Sequence, residues 1–446
     1  MQGNRSSGPE STPAPLVEEP VVNVNPAVAG RRRGRLFTRI GPGFITGASD
    51  DDPSGIGTYA SVGAAQGFSA LWLALVTYPL MVAVQLICAR IGLVSGKGIA
   101  GVLRGRYPGW VVYSTVVTLV VANTINAGVD IAAIAAGINL LIPISPSFLI
   151  IPIGIAILVL QIAGSYQQIA RVFKWLTLAL LAYVGAAFFA RPDWSAVVRG
   201  TFIPTVRADS DFLMAMVAIL GTTISPYLFF WQASEEVEEE IAAGRTTPDE
   251  RAGATDDELR GATWDVGIGM AFSNLVMYFI VLATAATLHT SGQTTITSAA
   301  EAAQALEPFA GHAAEALFAV GLIGAGVLAV PVLTGAAAYA VAEAGGWNSG
   351  LAVRPRQAKV FYGVIIISTL VGMAMDFTGI DAITALYWTA VLNGLLAPPL
   401  LVLVLLIANN RAIMGERTNG RALNLLGGSA AVIMTAAAAG LLWSWR

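Results

Sequence analysis

The stretch Ala48-Ser49-Asp50-Asp51-Asp52-Pro53-Ser54-Gly55 decides how this chain must be read. It lies inside a run of apolar and small residues, from about 39 to 66. Such a run can cross a bilayer, whose core of about 30 Å takes roughly 20 residues of helix. A carboxylate at the bilayer centre costs about 2.5–3.5 kcal/mol on insertion scales. Proline removes a backbone N–H and disfavours helix at the residue before it. Unpaired backbone at that depth is tolerated only where it lines a cavity within the protein. Three carboxylates followed by proline therefore predict a broken membrane helix that points inward.

The rest of the chain agrees. Of its 446 residues, 55% are hydrophobic and 12% charged, and the mean hydropathy is +0.68. Soluble chains carry about 25% charged residues. Apolar runs near 39–66, 69–94, 110–140, 147–164, 172–190, 211–240, 263–289, 312–343, 357–375, 379–408 and 422–443 predict about eleven helical spans. They are too long and continuous for barrel strands, which alternate. The fold class expected is an all-α polytopic membrane protein. A net charge of −3 argues against nucleic acid as a partner, and the single Cys88 excludes an intrachain disulfide. Residues 1–36 are polar and Pro-rich, with no apolar core of signal-peptide length, and read as a disordered cytoplasmic tail.

Lys and Arg set the orientation. With the N-terminus inside, the cytoplasmic segments collect 21 of the 25 basic residues, and Arg191, Arg199, Arg207 and Arg446 stay outside. The C-terminus is then outside, and the expected location is a bacterial plasma membrane. Trp72, Trp110, Trp175 and Trp443 near span ends read as interface anchors.

A second break is predicted at Gly221-Thr222-Thr223-Ile224-Ser225-Pro226 in the sixth span. Two broken helices five spans apart are the sequence sign of inverted repeats, with the binding site at the breaks. The units expected are a first repeat over 37–190, a second over 211–408, and an extra span at 422–443. The half-helices entering both breaks end there, so their C-terminal carbonyls and the carboxylates favour a cation and repel an anion.

Residues 37–66 and 211–235 resemble the Nramp family of divalent-metal transporters, which share the LeuT-type fold. The family's Asp-Pro-Gly-Asn is Asp52-Pro53-Ser54-Gly55 here, and its Gly-Ala-Thr-Ile-Met-Pro-His is Gly221-Thr222-Thr223-Ile224-Ser225-Pro226-Tyr227. Gly41-Pro-Gly-Phe-Ile-Thr-Gly-Ala48 and Ile413-Met414-Gly415 also look familial. The resemblance implies two inverted five-helix repeats plus one helix, and a divalent metal ion, Mg²⁺ or Mn²⁺, as transported substrate rather than cofactor.

The departures from the family pattern are informative. Asp52 matches the metal-binding Asp and Thr222 the residue whose carbonyl contributes. Gly55 replaces the binding Asn and Ser225 the binding Met. Without the thioether, the soft ligand that favours late first-row metals is lost. Oxygen remains, from Asp52, the Thr222 carbonyl, and the hydroxyls of Ser225, Thr223 and Ser54. Gly and Ser also free space, so a wider cavity that suits partly hydrated Mg²⁺ is expected. This resembles the Nramp-related magnesium transporter branch. Tyr227 stands at the family's His, Ala127 at an Asp and Asp130 at a Glu, which predicts uptake without obligatory proton coupling.

Asp50, Asp51, Asp130, Tyr227, Gln232, Thr389 and Asn393 are candidates for the pathway. The acidic residues Glu235, Glu236, Glu238, Glu239 and Glu240 read as a solvated cytoplasmic extension of the sixth span. A proton-coupled Mn²⁺ or Fe²⁺ symporter and an organic-solute carrier on the same fold are the alternatives. A membrane enzyme is disfavoured, since no paired catalytic motif is present.

Overall fold

The computed structural model describes residues 41–163, 178–351, 353–376 and 381–445. The tail at 1–36 and Trp175 lie outside them. The first apolar run breaks where its residues predict. Helix α1 (Pro42–Asp50) stops at Asp51, and α2 (Pro53–Gln66) restarts with Asp52 as N-cap and Pro53 in its first turn. Proline suits that position because its missing N–H would be unpaired there anyway. Then follow α3 (Trp72–Ser95), α4 (Gly109–Leu141), α5 (Pro146–Ala163) and α6 (Ala182–Phe189).

The second half repeats the pattern. Helix α7 (Ser210–Thr223) and α8 (Pro226–Ala242) are parted at Ile224 and Ser225. Next come α9 (Asp256–Thr284), α10 (Ala314–Gly345), α11 (Lys359–Met375) and α12 (Ala382–Ala408), with α13 (Arg421–Ser444) as the extra helix. Eight helical stretches are long and apolar enough to span a membrane; Ala179–Phe189 and Lys359–Met375 are shorter apolar helices. With α1–α2, whose break hides it from a length criterion, these make the eleven spans. No strand occurs among the described residues.

The packing has the inverted-repeat form. Helices α4 and α10, the third spans of the two halves, make the most extensive pairing. The first broken helix leans on α9 and the second on α3, each the second span of the opposite half. Helix α1 meets α8 and α2 meets α7, so the broken helices cross with their breaks together. Glycines permit the closest of these approaches. A Cβ on Gly47 would lie 2.7 Å from Gly269 Cα, and one on Gly43 would lie 2.6 Å from the Val266 nitrogen. Small residues let membrane helices meet backbone to backbone in this way.

Large apolar side chains cover the outside, among them Phe148, Leu425, Trp110 and Trp443. Trp72 departs from its expected role as an anchor. It is buried, because the short helix Trp194–Phe202 packs over that end of α3. The acidic end of α8 also departs from the solvated extension expected. Glu236 and Glu240 are buried. Gln232 donates to Glu236 Oε1 at 2.8 Å, and Arg245 pairs with Glu240 at 3.0 Å. Spacings of four residues put 232, 236 and 240 on one face, and that face turns into the protein.

Candidate cation site at the helix breaks

Asp52 is fixed by its place in the chain. As N-cap of α2, its Oδ1 accepts from the Gly55 N–H at 2.7 Å and from Ser54 Oγ at 2.6 Å. Negative charge is stabilised at a helix N-terminus by the aligned peptide dipoles. Its Oδ2 accepts from Asn126 Nδ2 on α4 at 3.1 Å and from the Tyr227 hydroxyl on α8 at 3.2 Å. Tyr227 also lies 3.1 Å from the Ser49 carbonyl of α1. The carboxylate thus joins spans 1, 3 and 6 and is buried, with all four of its partners donors.

The second break closes on the first. Ser225 stands at the N-cap position of α8, yet its hydroxyl makes no cap bond. It turns back to the Gly221 carbonyl at 2.9 Å and the Thr222 carbonyl at 2.7 Å. These are last-turn carbonyls of α7, which proline and the break leave without helical donors. A Cβ on Gly55 would stand 3.2 Å from Thr222 Oγ1 and 3.3 Å from the Asp50 carbonyl. The C-terminal ends of α1 and α7 therefore meet beside Asp52, as expected from the two breaks. At Gly55 itself little free space remains in this conformation. Thr222, the Asp50 carbonyl and Tyr59 close in to within 3.2–3.4 Å of the missing side chain, because interiors pack to fill space.

The structure divides the remaining candidates. Asp50 and Asp51 turn away from Asp52 to α9, where Ser273 Oγ donates to Asp50 Oδ2 at 2.6 Å and lies 3.1 Å from Asp51 Oδ1. Thr223 donates back to Ile219 at 2.8 Å within its own helix. Asp130 is buried on α4 one turn beyond Asn126, with the Ser54 backbone N–H directed at its carboxylate. Gln232 sits further along α8 on Glu236. Thr389 donates to the Leu386 carbonyl at 2.7 Å, and Asn393 is buried one turn on, its Nδ2 without a partner among the described residues.

Two residues escaped the sequence reading. Asn126 had a usable signal, a polar residue four positions from Asp130 and so on the same helix face. Ser273 had none, since one serine in a long apolar helix is ordinary. Among the described residues no three His, Cys, Asp or Glu side chains gather as a metal-ligand set. Of the three carboxylates at the first break, Asp52 is the one that bonds to the second, and no imidazole or thioether lies in 50–55 or 221–227. Such a set suits a hard cation that keeps part of its water.

The chain is similar to known proteins over nearly its whole length. A family model described as natural resistance-associated macrophage protein-like (Nramp) matches residues 43–444. A protein named divalent metal cation transporter MntH from Yersinia pestis (strain Pestoides F) is 27% identical over 412 residues, covering 91% of this chain and 94% of the relative. MntH of Yersinia pseudotuberculosis serotype O:1b (strain IP 31758) matches to the same extent. Among solved structures, the Eremococcus coleocola manganese transporter has a TM-score of 0.71 at 17% identity, over 92% of this chain and 88% of that one. MhsT in complex with L-phenylalanine has a TM-score of 0.57 at 14% identity, over 93% of this chain and 100% of that one. At these identities the two structures speak for the fold alone.

Proposed function

The chain belongs to the Nramp family, and from that membership we propose that it carries a divalent metal cation across the membrane, with Mg²⁺ preferred and no obligatory proton partner. One observation carries the preference. Of the three buried carboxylates at the first break, Asp52 is the one bonded across to the second, through Tyr227, and at the position of the familial Met stands a serine hydroxyl resting on the Thr222 carbonyl. Hard oxygen donors without sulfur favour Mg²⁺ over late first-row metals. Asp52, the Thr222 carbonyl and Ser225 are the ligands of this reading, with Ser54 and Thr223 beside them and Gly55 leaving room for water when the site opens. Asn126 and Tyr227, which hold Asp52 here, would swing aside for the ion. Mn²⁺ is the second ion it would accept.

The reading places the N-terminus in the cytoplasm and the C-terminus outside, in a plasma membrane. The basic loops support that orientation. Uptake into proteoliposomes, with Mn²⁺ and Ca²⁺ as competitors, tests it. Mg²⁺ uptake should resist equimolar Mn²⁺. Robust Mn²⁺ uptake that excess Mg²⁺ leaves untouched overturns the Mg²⁺ assignment and returns the chain to the manganese carriers.

A further inference from the structure

A cleft of about 220 Å³ opens where α4, the end of α11 and the start of α12 meet. Its walls are largely apolar, from Ile125, Val129, Met375 and Leu392, and its polar members are Asp376 and Thr389. It lies at the end of α11 opposite Lys359, which is the outer end in the orientation proposed above. Asp376 Oδ2 has no hydrogen-bond partner among the described residues. Behind the wall, next to Val129, stands the buried Asp130, with the Ser54 backbone N–H directed at its carboxylate. Asp130 is in electrostatic reach of both Asp376 and Asp52.

We propose that this cleft is an outer recruiting site for a hydrated divalent cation, held by Asp376 and Thr389, from which the ion passes by Asp130 to Asp52. The proposal rests on the transport reading and extends it. The size fits, since 220 Å³ is room for about seven waters at roughly 30 Å³ each, enough for an ion with a full shell. Low-dielectric walls around a single carboxylate focus its field and raise the local cation concentration. A carboxylate oxygen left without a donor in an apolar setting is costly, and a bound cation relieves it.

Two measurements on the full-length protein test the proposal. In proteoliposomes, Asp376→Asn should raise KM for Mg²⁺ by about fivefold or more while the maximal rate falls by less than about twofold, the pattern of lost recruitment rather than lost translocation. Second, Ala385→Cys places a thiol in the cleft; the native Cys88 is buried and gives little background. A charged, membrane-impermeant thiol reagent added outside should modify it, and Mg²⁺ should slow the reaction when Asp376 is present but not in the Asp376→Asn background. An unchanged KM overturns the proposal. So does modification by a lipid-soluble maleimide alone, which would mean that the cleft opens to the bilayer. If the wild type carries no divalent cation, the transport reading fails first, and Mg²⁺ protection of the thiol still judges the cleft.

Discussion

At the scale of single residues, Asp52 has two duties that a test must separate. It caps α2 and it carries the charge at the breaks. Removing a cap to Ala costs about 0.5–2 kcal/mol, whereas Asn caps as well as Asp. Asp52→Asn should therefore melt within a few degrees of the wild type and still lose Mg²⁺ uptake. Asp52→Ala should lose uptake and stability together. Wild-type uptake by either folded variant would remove Asp52 from the site. Gly55→Asn with Ser225→Met rebuilds the familial donors. It also cuts the Ser225 bonds to the Gly221 and Thr222 carbonyls and requires Thr222 and Tyr59 to yield a few tenths of an ångström. The double variant should gain Cd²⁺ binding, read by calorimetry, and lose most Mg²⁺ uptake, because sulfur favours softer ions and the site narrows. Unaltered Mg²⁺ uptake with no Cd²⁺ gain would show that these positions do not set selectivity.

At the scale of elements, the half-helix α1 is held on α9 by backbone contact, by Asp265 at its start and by Ser273 at its end. Asp265 of α9 accepts from the Gly43 N–H at 2.6 Å, capping an N-terminus that has no side-chain cap of its own. Gly47 lies against Gly269, so a methyl group there forces the helices apart. Gly47→Ala should cost about 1–3 kcal/mol, the usual range for overpacking, and lower the melting temperature in detergent. Gly428→Ala on α13 is the control, because nothing lies within 4 Å of its new Cβ. Equal melting of the two variants would mean that the α1–α9 contact is not tight. The same contact must loosen if one bundle rocks against the other around the breaks, so Gly47→Ala should also slow uptake.

At the scale of the whole molecule, the membrane potential is a sufficient driving force. Each elementary charge gains about 2.3 kcal/mol per 100 mV, so a divalent ion gains about 4.6 kcal/mol. In proteoliposomes clamped with valinomycin and K⁺, a negative-inside potential should accelerate Mg²⁺ uptake. A pH gradient at fixed potential should add little. Internal acidification that scales with Mg²⁺ uptake would refute uncoupled transport, and its loss in Asp130→Asn would name the relay.

The chain's own order of residues determined much of this. The two prolines behind polar runs set both helix breaks, since proline cannot continue the ladder and a half-helix ends where its last carbonyls lose their donors. Hydropathy set the span count, because each span is a local run of the right length. Asp52 was legible because its neighbours Pro53, Ser54 and Gly55 are neighbours in the chain as well. Only the tertiary structure decided the directions in which side chains turn. Asp50 and Asp51, beside Asp52 in sequence, face α9 because they close α1, which packs on α9, whereas Asp52 opens α2. Asn126 and Tyr227 reach Asp52 across 74 and 175 residues, a distance that no local pattern encodes. The acidic face of α8 is packed rather than solvated because of what α3 and α10 place against it. Local physics writes the elements of this protein, and the partners each face meets depend on packing between segments far apart in the chain.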